Sequence, residues 1–193
     1  IKYIEHNYPE LLPHLSSCKS PQQMFGALAK TYYAQTSGID PADIFVVSIM
    51  PCTAKKFECM RPEMTSSGHQ DVDAVLTTRE FGRILRQAGI DFSTLTQSKF
   101  DEPLGMSTGA GAIFGTTGGV MEAALRTVYE IVTGQELKKL EFELIRGMEG
   151  IKEASIALKE LPVKVAVAHG LSNARKVMDL IQSGQTNHTF IEI

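Results

Sequence analysis

Met50-Pro51-Cys52-Thr53-Ala54-Lys55-Lys56-Phe57-Glu58 sets a thiol, an ammonium and a carboxylate at successive spacings of three residues. A thiolate binds soft metals such as iron, and a lysine beside it can face an anion through a charge-assisted hydrogen bond. The plainer alternative is a buried structural thiol followed by a solvated lysine turn, because free cysteine is among the most buried residue types. On these residues alone both readings stand.

The elements that must position this stretch can be read around it. Residues 44–50 form an apolar run rich in β-branched side chains, expected to be a buried strand. Pro51 has no N–H for a ladder, so the strand stops there and leaves Cys52 at its C-terminal mouth, where open α/β sheets hold ligands. Ser20-Pro21-Gln22-Gln23 predicts a helix start, with Ser20 as cap, Pro21 at the first helical position and Gln23 closing a capping box; the helix runs to Ser37-Gly38. Residues 72–76 predict a second strand, and Thr77-Thr78-Arg79-Glu80 a second capping box, opening a helix that stops at Gly89. Residues 91–104 read as a surface connection. Six glycines then fall within residues 105–119, ahead of a helix from Val120 to about Val132. Such a stretch suits close approach of backbone to a ligand, although it fits neither phosphate-loop spacing. Strands are expected over 140–145 (closed by Arg146-Gly147), 163–170 and from His188 onward, with 151–158 ambiguous and a helix capped by Ser172. The pattern predicts an α/β fold of two lobes, each a small, mostly parallel sheet flanked by helices, with the active-site cleft between them.

Composition narrows the function. The net charge of −3 offers no basic field for nucleic acid, and no stretch reaches the roughly 20 apolar residues of a membrane helix. Three cysteines, none in a Cys-x-x-Cys pair, argue against a disulfide framework or a self-contained metal site, and the five histidines are scattered. The opening Ile1-Lys2-Tyr3-Ile4 and closing Phe190-Ile191-Glu192-Ile193 read as the interior of elements, so the chain is expected to be an internal piece cut at both ends.

The segment from Met50 to Glu58 resembles the Met-Pro-Cys-x-x-Lys-x-x-Glu signature of the iron-only (FeFe) hydrogenases. Phe114-Gly115, Thr117-Gly118-Gly119-Val120-Met121-Glu122-Ala123-Ala124-Leu125-Arg126, Ser20-Pro21-Gln22-Gln23, Thr77-Thr78-Arg79-Glu80 and Arg146-Gly147 with Gly150-Ile151-Lys152-Glu153-Ala154 resemble further stretches of the same catalytic domain, in the same order. The resemblance covers essentially residues 1–193 and implies the central part of that domain.

It also implies the H-cluster, a 4Fe–4S cube joined through a cysteine to a two-iron centre with CO, cyanide and a bridging dithiolate, held by four cysteines. Cys52 matches one cube ligand; the others are expected before Ile1 and after Ile193. Lys55 matches the lysine that donates to an iron-bound cyanide. Ser20, Pro21 and Gln22 match the loop beside the two-iron ligands, Met50 and Phe114 an apolar wall, and Gly115 a point of close backbone approach. Glu58 and Ser16 match the inner part of a proton path, while Cys18 and Cys59 match no ligand position. The implied activity is reversible H2 oxidation and proton reduction, with ferredoxin or accessory iron–sulfur domains as electron partners, and a cytoplasmic rather than periplasmic place. Two other readings are a non-catalytic relative serving cytosolic iron–sulfur assembly, a class that generally lacks the lysine, and an H2-sensing hydrogenase.

Overall fold

The computed structural model describes residues 1–193 apart from 138, 139, 141, 146, 147, 159 and 160, so the expected Arg146-Gly147 strand end lies outside the described residues. In chain order the helices are α1 (Lys2–Asn7), α2 (Pro21–Leu28), α3 (Ala34–Ser37), α4 (Ala54–Cys59), α5 (Thr78–Gln87), α6 (Ala110–Ile113), α7 (Gly119–Thr133) and α8 (Leu171–Gln182). The strands are β1 (Val47–Met50), β2 (Ala74–Thr77), β3 (Glu143–Leu144), β4 (Ile151–Leu158), β5 (Leu161–Ala168) and β6 (Phe190–Glu192). They fall into two compact units, one of Ser16–Gly105 and one of Ile1–Leu15 with Met106–Ile193. No described helix is long and apolar enough to cross a membrane.

In Ser16–Gly105, β1 and β2 pair in parallel from Val47↔Ala74 to Met50↔Thr77. Cys59, Val72 and Val75 form the core beneath them, joined by Val46 and Met50. Residues 44–50 are less buried than expected: Val47 and Ile49 stay 47% and 46% exposed, because the core of this unit covers one face of a two-stranded sheet. From α2 the chain continues through a π-helical turn, Ala29–Tyr33, into α3, which stops at Gly38. The wide turn carries buried Lys30, whose ammonium reaches the Gln70 carbonyl and the Asp73 carboxylate, both at 2.7 Å. Gly26 lets α2 lie directly on the backbone of Asp71, where a Cβ would overlap the carbonyl oxygen.

The Thr77 capping box forms as expected: Thr77 Oγ1 accepts from the Glu80 N–H at 3.2 Å, and Glu80 Oε2 from the Thr77 N–H at 2.8 Å. The Ser20 box does not form. Ser20 is the N-cap residue of α2, but its hydroxyl makes no cap bond, and Gln23 is fully buried rather than folded back to the helix start.

In the other unit the sheet order is β3-β4-β5-β6, antiparallel across the first two pairs and parallel across β5 and β6. This sheet is mixed rather than mostly parallel. Two residues separate β4 from β5, and a parallel connection needs about a dozen or more. Alternation along β5 sends Val163, Val165 and Val167 toward Met121 and Leu125 of α7, while Ala168 joins Tyr8, Leu11, Val177 and Met178 in the second core. The ambiguous segment 151–158 is strand β4, and among the described residues of 140–145 the strand is Glu143–Leu144. Helix α8 is capped by Gly170, with Ser172 inside its first turn.

Candidate functional site

The chemistry-bearing residues of Ser16–Gly105 gather where β1 ends and α4 begins. Pro51 closes the strand, and Cys52 follows it exposed. The Lys55 N–H donates to the Cys52 carbonyl at 3.4 Å as α4 starts. One turn on, Lys55 Nζ meets Glu58 Oε2 at 2.9 Å, with side chains 28% and 15% exposed. Ser20 Oγ donates to the same carboxylate oxygen at 2.9 Å, so the hydroxyl missing from the α2 cap is spent here.

Gln22 is buried and bridges three elements. Its Nε2 donates to the Lys55 carbonyl at 3.4 Å, and its Oε1 accepts from Ser48 Oγ on β1 at 2.7 Å. Pro21 stands exposed as the first residue of α2, and Met50 is half-buried against the Cys59–Val72–Val75 cluster. Behind α4, Lys56 donates to the Val75 carbonyl at 2.9 Å and pairs with Glu80 at 2.8 Å. The Lys56 ammonium, together with the Thr77 donors, pulls the Glu80 carboxyl down to about 2. Helix α4 is thus fastened to β2 and to the start of α5 on one side and to α2 on the other.

The two cysteines of this segment differ in kind. Cys59 is 4% exposed, its Sγ lies 3.3 Å from the Lys56 carbonyl, and burial pushes its thiol up. That is a buried structural thiol; Cys52 is the accessible one.

Ser16 is not brought to Glu58. Its Oγ accepts from the Cys18 N–H at 3.1 Å on an exposed loop, and the hydroxyl on Glu58 belongs to Ser20. Phe114 and Gly115 belong to the other unit, just past α6, and both are exposed. A Cβ at Gly115 would make only an ordinary contact with the Ala112 carbonyl, at 3.6 Å, so packing within the unit does not require glycine there. Within residues 105–119, packing requires glycine at Gly118 and Gly119.

Sequence reasoning missed Ser48, Lys56 and Glu192. Ser48 and Glu192 each interrupt an apolar stretch with one polar group, a signal that could have marked them. Among the described residues no group of three or more His, Cys, Asp or Glu could hold a metal ion.

The model of the family described as "Iron only hydrogenase large subunit, C-terminal domain" matches residues 1–193. The chain is 52% identical over 188 residues to the NADP-reducing hydrogenase subunit HndD of Solidesulfovibrio fructosivorans, covering 97% of this chain and 32% of that protein. It is 53% identical over 191 residues to the periplasmic Fe hydrogenase large subunit of Nitratidesulfovibrio vulgaris, covering 99% of this chain and 45% of that one. A weaker match, 29% identical over 192 residues, is to cytosolic iron-sulfur assembly component 3 of Pongo abelii, covering 95% of this chain and 40% of that protein. Among solved structures, an apo FeFe-hydrogenase HydA1 variant of Chlamydomonas reinhardtii superposes with a TM-score of 0.81 at 41% identity, over 98% of this chain and 55% of that one. The chain therefore spans about a third to a half of the length of these relatives.

The periplasmic relative corrects the expectation of a cytoplasmic place. A chain 53% identical to it carries no preference for the cytoplasm, since compartment is written in targeting segments and not in a catalytic core. By its match from first residue to last and by these identities, the chain belongs to the family of the iron-only hydrogenase large subunit, C-terminal domain.

Proposed function

We propose that this chain forms the central part of a hydrogenase catalytic domain and serves the reaction H2 ⇌ 2 H⁺ + 2 e⁻. The observation that carries the proposal is an accessible Cys52 at the end of β1, with a Lys55 ammonium one turn away held by Glu58, whose carboxylate Ser20 also bonds. That donor set fits an iron–sulfur group with anionic ligands: an accessible thiol to bind iron, and a fixed cation to face the anion. When bound, the H-cluster (a 4Fe–4S cube with a two-iron centre bearing CO, cyanide and a dithiolate) supplies the redox iron chemistry.

The protein residues take the remaining tasks. Cys52 is a cube ligand. Lys55 donates to cyanide, and the Glu58 carboxylate keeps its ammonium aimed. Pro21 and Gln22 line the two-iron ligands, with Gln22 locked by Ser48. Met50 and Phe114 exclude water, and Gly115 leaves room for backbone approach. Glu58 also passes protons. The hydroxyl next to it is Ser20, and Ser16 lies farther out along the same loop. Electrons are exchanged with ferredoxin or accessory iron–sulfur domains.

The assembly-protein reading is less well supported, because the match to that class is 29% identical against 53% for a hydrogenase, and because Lys55 is present. The proposal is tested by Cys52→Ala in the intact protein. Loss of the catalytic-site 4Fe–4S signal is expected; an unchanged iron content and spectrum would refute the ligand assignment.

A further inference from the structure

The Glu192 carboxylate reaches out of the sheet and holds the start of α7. Its Oε1 accepts from the Gly118 N–H at 3.2 Å, and its Oε2 from the Met121 N–H at 2.7 Å. These donors lie 74 and 71 residues away in sequence, so this is no local cap. A carboxylate at this end of a helix satisfies orphan N–H groups and opposes the positive end of the macrodipole. The chain's own carboxylate thus occupies the anion place at the start of α7.

The same glycine is gripped from a second direction. Gly118 has φ +86°, and a Cβ there would approach Val167 Cγ2 to 3.0 Å. Val167 and Glu192 are partners in the parallel β5–β6 register. One strand pair therefore supplies both a wall beneath Gly118 and two acceptors for the turn.

Upstream, the turn is wound tightly onto itself. The Gly119 N–H donates to the Thr116 carbonyl at 2.9 Å, and the Thr116 N–H and hydroxyl donate to the Ile113 carbonyl at 3.1 and 2.9 Å. A Cβ at Gly119 would overlap that same Ile113 carbonyl. Residues 113–119 are thus bonded into one tight turn, which carries Phe114 and Gly115.

We infer that Glu192 is a positioning residue that sets where Phe114 and Gly115 stand by clamping the 113–119 turn to the β5–β6 edge. The inference rests on the proposed reading of Phe114 and Gly115 as part of the cofactor wall. A cap serving only helix stability would leave the cofactor's surroundings unchanged when weakened. A clamp on the turn would move the wall.

The test uses the intact protein with Glu192→Gln, which keeps one acceptor and the side-chain volume, alongside Glu192→Ala. Two quantities are read: hydrogen exchange of the Gly118 and Met121 amides, and the infrared CO and cyanide bands of the loaded protein. Exchange at both amides is expected to quicken about tenfold to a hundredfold in Glu192→Ala and less in Glu192→Gln, with the bands shifted or broadened in both. Unchanged exchange overturns the clamp. Faster exchange with unmoved bands reduces Glu192 to a helix cap and overturns the positioning role. Should Glu192→Ala fail to fold, the Gln variant decides by the same criteria. Phe114→Ala is measured in parallel: unmoved bands there remove the wall reading itself, and the exchange result still decides whether Glu192 holds the turn.

Discussion

Glu58→Gln separates the two tasks proposed above for one carboxylate. Oε2 accepts from both the Lys55 ammonium and the Ser20 hydroxyl, each at 2.9 Å. Glutamine fits the same space and can still accept from Ser20, but it cannot titrate and offers Lys55 no charge. Losing a charge-assisted bond costs about 1.5–3 kcal/mol at a buried site. With Lys55 28% exposed, solvent screening brings the anchoring loss to about 1–2 kcal/mol, or roughly a 5- to 30-fold fall in two-iron occupancy. Loss of a proton-transfer group instead lowers the rate per loaded centre, by about 10²–10⁴. H2 evolution by the intact Glu58→Gln protein, divided by the number of centres counted from infrared CO and cyanide bands, reads the second quantity free of the first. A deficit of at least about 10² per loaded centre is expected. A near-wild-type rate per centre, with occupancy alone reduced, would refute the relay and leave Glu58 as the anchor of Lys55.

Lys55→Met should keep the cube signal while weakening two-iron occupancy by about ten- to a hundredfold, from the loss of one charge-assisted bond; normal infrared bands with full activity would count against the assignment. Ile1–Ile193 reconstituted alone with iron and sulfide should evolve no H2, because on the proposed reading it offers one of four cluster thiolates, too few to hold the metal that completes its surroundings; measurable turnover would overturn that reading. Glu80 should make the α4–α5 junction acid-sensitive. Its folded-state carboxyl lies at about 2, below the ordinary glutamate value of 4.5, so its stabilisation is present above about pH 4.5 and is lost as pH falls toward 2. Amide exchange at the start of α5 should show this loss, and Glu80→Gln should abolish it.

Local rules carried far where the partners lie close in sequence. Thr77 and Glu80 are three residues apart, and their reciprocal bonds appear as the capping pattern predicts. The same pattern at Ser20 and Gln23 fails, because both side chains answer to distant demands: Ser20 to Glu58 on α4, and Gln23 to burial in the core. Ser172 reads as a cap, but the backbone turn at Gly170, with φ +82°, starts α8 two residues earlier than that cap implies. The expectation of mostly parallel pairing failed at β4 and β5, since apolar alternation is common to both kinds of sheet and the short connection decides the direction.

The candidate site shows the same division. The ordering of Cys52, Lys55 and Glu58 along a strand end and one short helix was legible, since the spacing that suggested chemistry is also the pitch that brings Lys55 onto Glu58. The groups that hold them were not. Ser48 fixes the amide of Gln22, Lys56 ties α4 to β2 and α5, and Glu192 secures the turn that carries Phe114. Each is a polar side chain satisfied by something at least nineteen residues away. A motif selects the atoms that meet a cofactor, and those atoms keep their places only if their second hydrogen bonds are also made. In this chain those bonds come from single polar residues set in apolar or basic runs, and substituting them should disturb the site while leaving every motif residue in place.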